Sequence, residues 1–166
     1  MRDESAYTCG IVRTLPWLLG WLLWLGAADK PPVLFRVHLQ APEGAKGQAT
    51  VPLTLLNPPE NIAIHNLPEL SEKEIRAVSL RPDGTVMVEF DEFGQTKLDV
   101  ATSTSRGLIL VVIVNGRVVY APTIDTVLNR GILLLPPASI APEEIQALND
   151  ARNKERAQKL KDLPRN

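Results

Sequence analysis

The residues from Gly107 to Pro122, GLILVVIVNGRVVYAP, constrain the fold more than any other stretch. Leu108 to Val114 is apolar at every position. Such a run, rich in β-branched side chains, predicts a central strand buried on both faces. Asn115-Gly116 follows at once. Both residues tolerate positive φ, and the pair is the strongest short-range signal for a two-residue hairpin turn. Arg117 to Ala121 then returns antiparallel. Pro122 has no N–H to give to a ladder and is expected to stop that strand. A chain carrying this unit must place apolar layers on both of its sides.

Other stretches alternate. In Val33 to Gln40, VLFRVHLQ, Val33, Phe35, Val37 and Leu39 face one way, and Leu34, Arg36, His38 and Gln40 the other. Period two predicts a half-buried strand. Ala41 to Gln48 reads as a loop, Thr50 to Leu56 as a second strand ended by Asn57-Pro58-Pro59, and Asn61 to Asn66 as a short third. Ser71 with Glu74 three residues later is a capping-box signature, so Leu70 to Ile75 is expected to start a helix. Arg81-Pro82-Asp83-Gly84 has turn chemistry. Val86 to Asp91 alternates, with Val86, Val88 and Phe90 inward and Met87, Glu89 and Asp91 outward.

Glu92 to Ser105 reads as a helix with Phe93, Leu98 and Ala101 available for burial. Thr123 to Asn129 is expected as a short helix that Gly131 terminates, and Ile132 to Leu135 as a strand. Pro142-Glu143-Glu144 opens a final helix, with acids at its positive end. That helix is amphipathic through Ile145 and Leu148 and nearly all polar from Asp150 to Lys161. The order predicts an α+β fold: a small mixed or antiparallel sheet with helices on one face.

Leu15 to Ala28, LPWLLGWLLWLGAA, carries no charge, follows Arg13 and ends in Gly26-Ala27-Ala28. This matches a secretory signal with a small-x-small cleavage site. An uncleaved signal anchor is the rival reading, although a spanning helix wants about 20 apolar residues; a buried helix of a soluble domain is the third. The first two put the rest of the chain outside the cytoplasm, periplasmic, secreted or anchored in the inner membrane by residues 15–28. Cys9 precedes the apolar run, which excludes lipoprotein processing, and it is the single cysteine, which excludes an internal disulfide.

Chemistry is sparse. With 18 basic and 19 acidic residues and a net charge of −1, nothing suggests a nucleic-acid partner. The two histidines, His38 and His65, have no neighbours at metal-ligand spacing, so no metal and no cofactor is expected. Glu89 and Asp91 share a strand face about 7 Å apart, a spacing open to acid–base work but read here as two solvated, outward carboxylates. Ser103 and Ser105 lack a nucleophile-elbow context. No catalytic constellation is found, and a non-enzymatic role is expected. A free strand edge remains, able to accept an extended peptide by strand addition.

The segments VEFDEFGQTKLDVAT, GLILVVIVNGRVVYAP, TIDTVLNRG, ILLL and PEEI together resemble the head subdomain of the first extracytoplasmic domain of SecD, the protein-export translocase accessory subunit. Phe90, Gly94, Thr102, Gly107, Asn115, Gly116, Ala121, Pro122, Ile124, Gly131, Glu143 and Glu144 fall in matching places, over about Asn61 to Leu148. Pro136-Pro137 departs from the Gly-rich turn usual there. SecD also continues into a membrane domain with proton-coupling acidic residues, and no second apolar run here is long enough to span. A stand-alone proton-driven translocase is therefore not expected.

The resemblance implies a protein that binds or hands on unfolded exported polypeptide, or docks to Sec translocon components. A structural or ligand-binding module reusing the head fold for another partner is the alternative. Contact is expected at Val119, Tyr120, Ala121, Pro122, Thr123 and Ile124, with Gly94, Gly107, Asn115, Gly116 and Gly131 setting shape. The organisation expected is residues 1–28 as signal peptide or anchor, 29–60 as N-terminal strands and linker, 61–149 as the head-like domain, and 150–166 as a polar helical tail.

Overall fold

A computed structural model describes residues 33–42, 44, 49–56 and 58–161. The signal or anchor segment, the Lys30-Pro31-Pro32 exit and most of the Ala41 to Gln48 loop lie outside the described residues. The strands are β1 (Phe35–Leu39), β2 (Thr50–Leu56), β3 (Pro59–His65), β4 (Leu70–Ser71), β5 (Ile75–Leu80), β6 (Val86–Phe90), β7 (Leu110–Val114), β8 (Arg117–Tyr120) and β9 (Ile132–Leu135). Helix α1 (Glu92–Thr104) joins β6 to β7, and α2 (Pro142–Lys161) follows β9. The fold is α+β, but its strands divide among three small antiparallel sheets, ordered β4-β1-β7-β8, β2-β3 and β5-β6-β9.

The expected central strand is central. β7 lies between β1 and β8, paired Phe35 to Val114, Val37 to Val112 and Leu39 to Leu110. Paired residues share a face. That face carries Phe35, Val37, Leu39, Leu110, Val112 and Val114 into the main core, where they meet Val86, Val88, Phe90, Leu98, Leu133 and Leu148. The opposite face of β7 carries Val111, which is fully buried against Leu55, Ile62 and Ile64 of the β2–β3 hairpin. His38 lies on this second face and is buried too; its Nδ1 donates to the His65 carbonyl at 2.9 Å. β1 thus builds the same layers as β4 and β7, so residues 33–56 and 58–161 share their cores.

Two expected helices are not helices. After Ser71 there is only a single 3-10 turn, Glu72–Glu74, and then β5. The capping box itself is present: Ser71 N–H donates to Glu74 Oε2 at 2.9 Å, and the Ser71 hydroxyl lies 3.4 Å from the Lys73 N–H. Ile75 and Val78 are spaced three apart, which reads as a helical period. In fact a bulge between Ile75 and Ala77 shifts the strand alternation, so both side chains reach the core from β5.

The second absent helix is Thr123 to Asn129. The β-branched residues Thr123, Ile124, Thr126 and Val127 are weak helix formers. The side chains of α1 also serve this segment's backbone directly: Thr102 Oγ1 accepts from Leu128 N–H at 3.0 Å, and Gln95 Nε2 donates to Asn129 O at 2.8 Å. Gly131 therefore ends a turn, not a helix. Phe93, expected to be available for burial, is 64% exposed, with Lys97 Nζ 4.6 Å above its ring centre.

The last helix closes the third sheet. β5 is an edge strand, and α2 packs along it. Asn149 Oδ1 accepts from Val78 N–H at 2.9 Å, while its Nδ2 donates to Val78 O at 2.8 Å. One carboxamide so replaces the peptide group of a neighbouring strand. Arg156 Nη2 donates to Arg76 O at 3.2 Å, and Arg152 pairs with Asp91 at 3.2 Å and Glu155 at 2.7 Å. Polar contacts, more than apolar ones, hold the second half of α2.

Candidate functional site

The hairpin of β7 and β8 ends in a turn with Asn115 at φ 49° and Gly116 at φ 79°. Two successive positive φ values are the geometry that fits the right-handed twist of the flanking strands. Asn115 does more than turn. Its Oδ1 accepts from Leu34 N–H at 3.0 Å and its Nδ2 donates to Glu144 Oε1 at 2.7 Å. Arg117 Nη2 also reaches Glu144 Oε2 at 3.0 Å, and Glu144 Oε2 accepts from Ala141 N–H at 3.0 Å. The turn is thereby tied to the start of β1 and to the first turn of α2. Burial pushes the Glu144 carboxyl up, but the Ala141 N–H, Asn115 and Arg117 outweigh it, and its pKa lies below the ordinary value.

Beyond β8 the chain does not leave the sheet at Pro122. Leu110 N–H donates to Pro122 O at 2.9 Å, and Ile124 N–H donates to Leu108 O at 2.9 Å. Between them Ile109 and Thr123 form a bridge. Bonds from the residues flanking such a pair turn its own polar groups outward. The N–H and C=O of Thr123 therefore point away from β7, and neither bonds to protein among the described residues. Ile124 is buried in the main core, with Val119 and Tyr120 packed against it. Ala121 packs on the second cluster, below the β2–β3 hairpin.

Of the expected contact residues, Tyr120, Pro122, Thr123 and Ile124 line one cleft of about 760 Å³. Its far wall is β9, through Ile132, Leu133 and Leu134, and its floor includes Leu110 and Thr102. The cleft thus runs between the edge of the four-stranded sheet and the edge of the three-stranded one. The β9 wall was not legible in the sequence, since nothing in ILLL says which edge it faces. A second groove, of about 800 Å³, lies between α1 and residues 66–69 and exposes Phe93, Val100 and Leu67. No sequence signal pointed to it.

The shape-setting residues lie around these features without joining the cleft. A Cβ on Gly94 would fall 2.9 Å from the Cβ atoms of both Glu74 and Phe90, so α1 approaches the 3-10 turn only because this side chain is missing. Gly131 combines φ of +65° with a virtual Cβ 2.8 Å from Gln95 Cβ. Gly107 lies in the turn after α1, and Gly116 in the hairpin turn. Of the paired carboxylates, Asp91 is taken up by structure: it caps α1 by accepting from Gly94 N–H at 2.9 Å, and it meets Arg152.

No protein-family model matches the sequence, and no curated protein matches it. Solved structures do. One, described as a membrane component SecDF that enhances protein export, superposes with a TM-score of 0.52 at 19% identity, over 71% of this chain and 60% of that one. The fold is SecD-head-like. SecDF in its super-membrane-facing form gives a TM-score of 0.53 at 19% identity, over 71% of this chain and 19% of that one. The chain spans less than two thirds of either SecDF chain. No helix among the described residues is long and apolar enough to cross a membrane.

Proposed function

We propose that this SecD-head-like protein acts without catalysis, outside the cytoplasm, by holding extended polypeptide in the cleft between β8 and β9. The carrying observation is that the N–H and C=O of Thr123, unpaired among the described residues, sit on a cleft walled by Tyr120, Pro122 and Leu133. A backbone donor and acceptor beside apolar walls take a peptide main chain without reading its sequence. The likeness to SecDF, which enhances protein export, supports polypeptide as the ligand class. Sec translocon subunits are the partners proposed alongside it, and residues 15–28 provide the export address.

A photocrosslinking residue at Thr123, placed in living cells, tests this. Adducts to newly exported chains, lost when an apolar wall residue such as Leu134 becomes Glu, are the expected result. A single unrelated adduct, or none above background, overturns it. A second reading is a partner-binding module that reuses the fold. It draws on the low identity, 19% to either SecDF structure, at which a shared fold can serve another partner. A single captured protein unconnected with export would favour it.

A further inference from the structure

We infer that the outer edge of β2 is a strand-addition site for an uncharged, extended polypeptide segment with alternating apolar side chains. Open strand edges are liabilities that proteins normally cover, charge or shorten. This chain does so at β5, where Asn149 and Arg156 occupy the edge. β8 and β9 are four residues each and face the cleft, and β4 has two. β2 has seven residues and, among the described residues, pairs only with β3. It carries no charge from Thr50 to Leu56.

The pairing shows what that edge offers. Asn66 N–H donates to Ala49 O at 2.9 Å, so residue 49 is hydrogen-bonded to residue 66. Bonded and non-bonded pairs alternate along an antiparallel ladder. Thr50, Pro52, Thr54 and Leu56 therefore turn their main-chain groups outward, while Val51, Leu53 and Leu55 bond to β3. On the partner strand, Ala63 opposite Pro52 also turns outward, and its carbonyl accepts from Ala41 N–H at 2.7 Å. The outer edge of β2 thus presents three donors and four acceptors. The missing donor is at Pro52, where a proline costs the fold nothing because that position faces no neighbour.

Side chains specify the occupant. Val51, Leu53 and Leu55 share the inner face of the hairpin by strand alternation, and Leu53 and Leu55 pack in the second hydrophobic cluster. The start of that inner face stays open: Val51 is 42% exposed. A strand added beside β2 lays its alternate side chains on the same face, next to Val51. Apolar side chains on that face extend the Leu53 and Leu55 surface, whereas charged ones would be desolvated against it. The inference rests on the polypeptide-handling reading for the partner's class, but it concerns a different edge.

Three substitutions test it on the full chain, with a fluorescent probe peptide of alternating valine and threonine and one lysine at each end. Pro52→Ala adds one outward donor, and binding tightens about fivefold. Thr54→Pro removes one outward donor and leaves the main-chain β2–β3 ladder intact, losing only the Thr54 Oγ1 bond to Asn61 Oδ1 that Thr54→Val loses too, and binding weakens by at least that factor. Thr54→Val keeps the N–H and leaves affinity unchanged. Circular dichroism and thermal melting verify that each variant is folded. Equal affinity in all folded forms overturns the inference, as does absence of binding. Concentration-dependent dimerisation without peptide, shifted by the same substitutions, also overturns it and assigns the edge to a second copy. Cross-linking at Thr123 that persists while these variants do nothing leaves the cleft reading standing and removes this one.

Discussion

Single atoms decide several features of this fold. Gly94 has no positive φ to explain it; its role is the 2.9 Å approach of Glu74 and Phe90 to where a Cβ would be. Gly94→Ala should destabilise by about 1–3 kcal/mol through overpacking, read by urea denaturation. Asn115 separates two effects that a single alanine would merge. Asn115→Gly keeps the positive φ and the backbone bond to Leu34 O, and loses only the side-chain bonds to Leu34 N–H and Glu144, at about 1 kcal/mol. Asn115→Ala should cost roughly 1 kcal/mol more, because alanine must also enter the left-handed region. Equal losses in the two variants would show that φ contributes nothing there.

Elements differ in how far their residues announced them. β1 and β6 were legible because their apolar residues alternate, and β7 because it is apolar at every position and buried on both faces. β5 was not, because one bulge puts Ile75 and Val78 at a helical spacing within a strand. The segment after Pro122 was not, because Thr102 and Gln95, far away in sequence, take the place of helical hydrogen bonds. The contact residues were readable as an edge, whereas the wall opposite them depends on where β9 lands. The role of α2 was hidden in its polar half. Asn149→Leu should destabilise by about 2 kcal/mol by orphaning Val78 N–H and C=O, and amide exchange at Val78 should accelerate while Val88 stays protected.

The first turn of the same helix sets a pH response. Glu144 titrates below its ordinary value of 4.5 in the fold, so the unfolded chain binds more protons in the acid range and stability rises with pH there. Stability supplied by Glu144 is complete above that value and is lost as pH falls through the lower folded pKa. Denaturation midpoints should therefore drop below about pH 4.5, and the difference between wild type and Glu144→Gln should shrink in acid. A gap that stays constant from pH 7 to pH 3 would contradict this.

At the scale of the molecule, β7 joins two cores, with Val112 in one and the adjacent Val111 in the other. Both are fully buried. Val111→Ala and Val112→Ala should each cost about 2 kcal/mol, and unfolding should remain one transition by tryptophan-independent probes such as far-ultraviolet dichroism and calorimetry. Separate transitions would mean that the β2–β3 hairpin melts by itself. The contact between Asn149 and Val78 spans 71 residues. A chain emerging from its amino end completes β5 long before it makes the carboxamide that seals it. During that interval the third sheet has a usable edge, and the order of synthesis, not equilibrium stability, determines how long the nascent protein must be shielded.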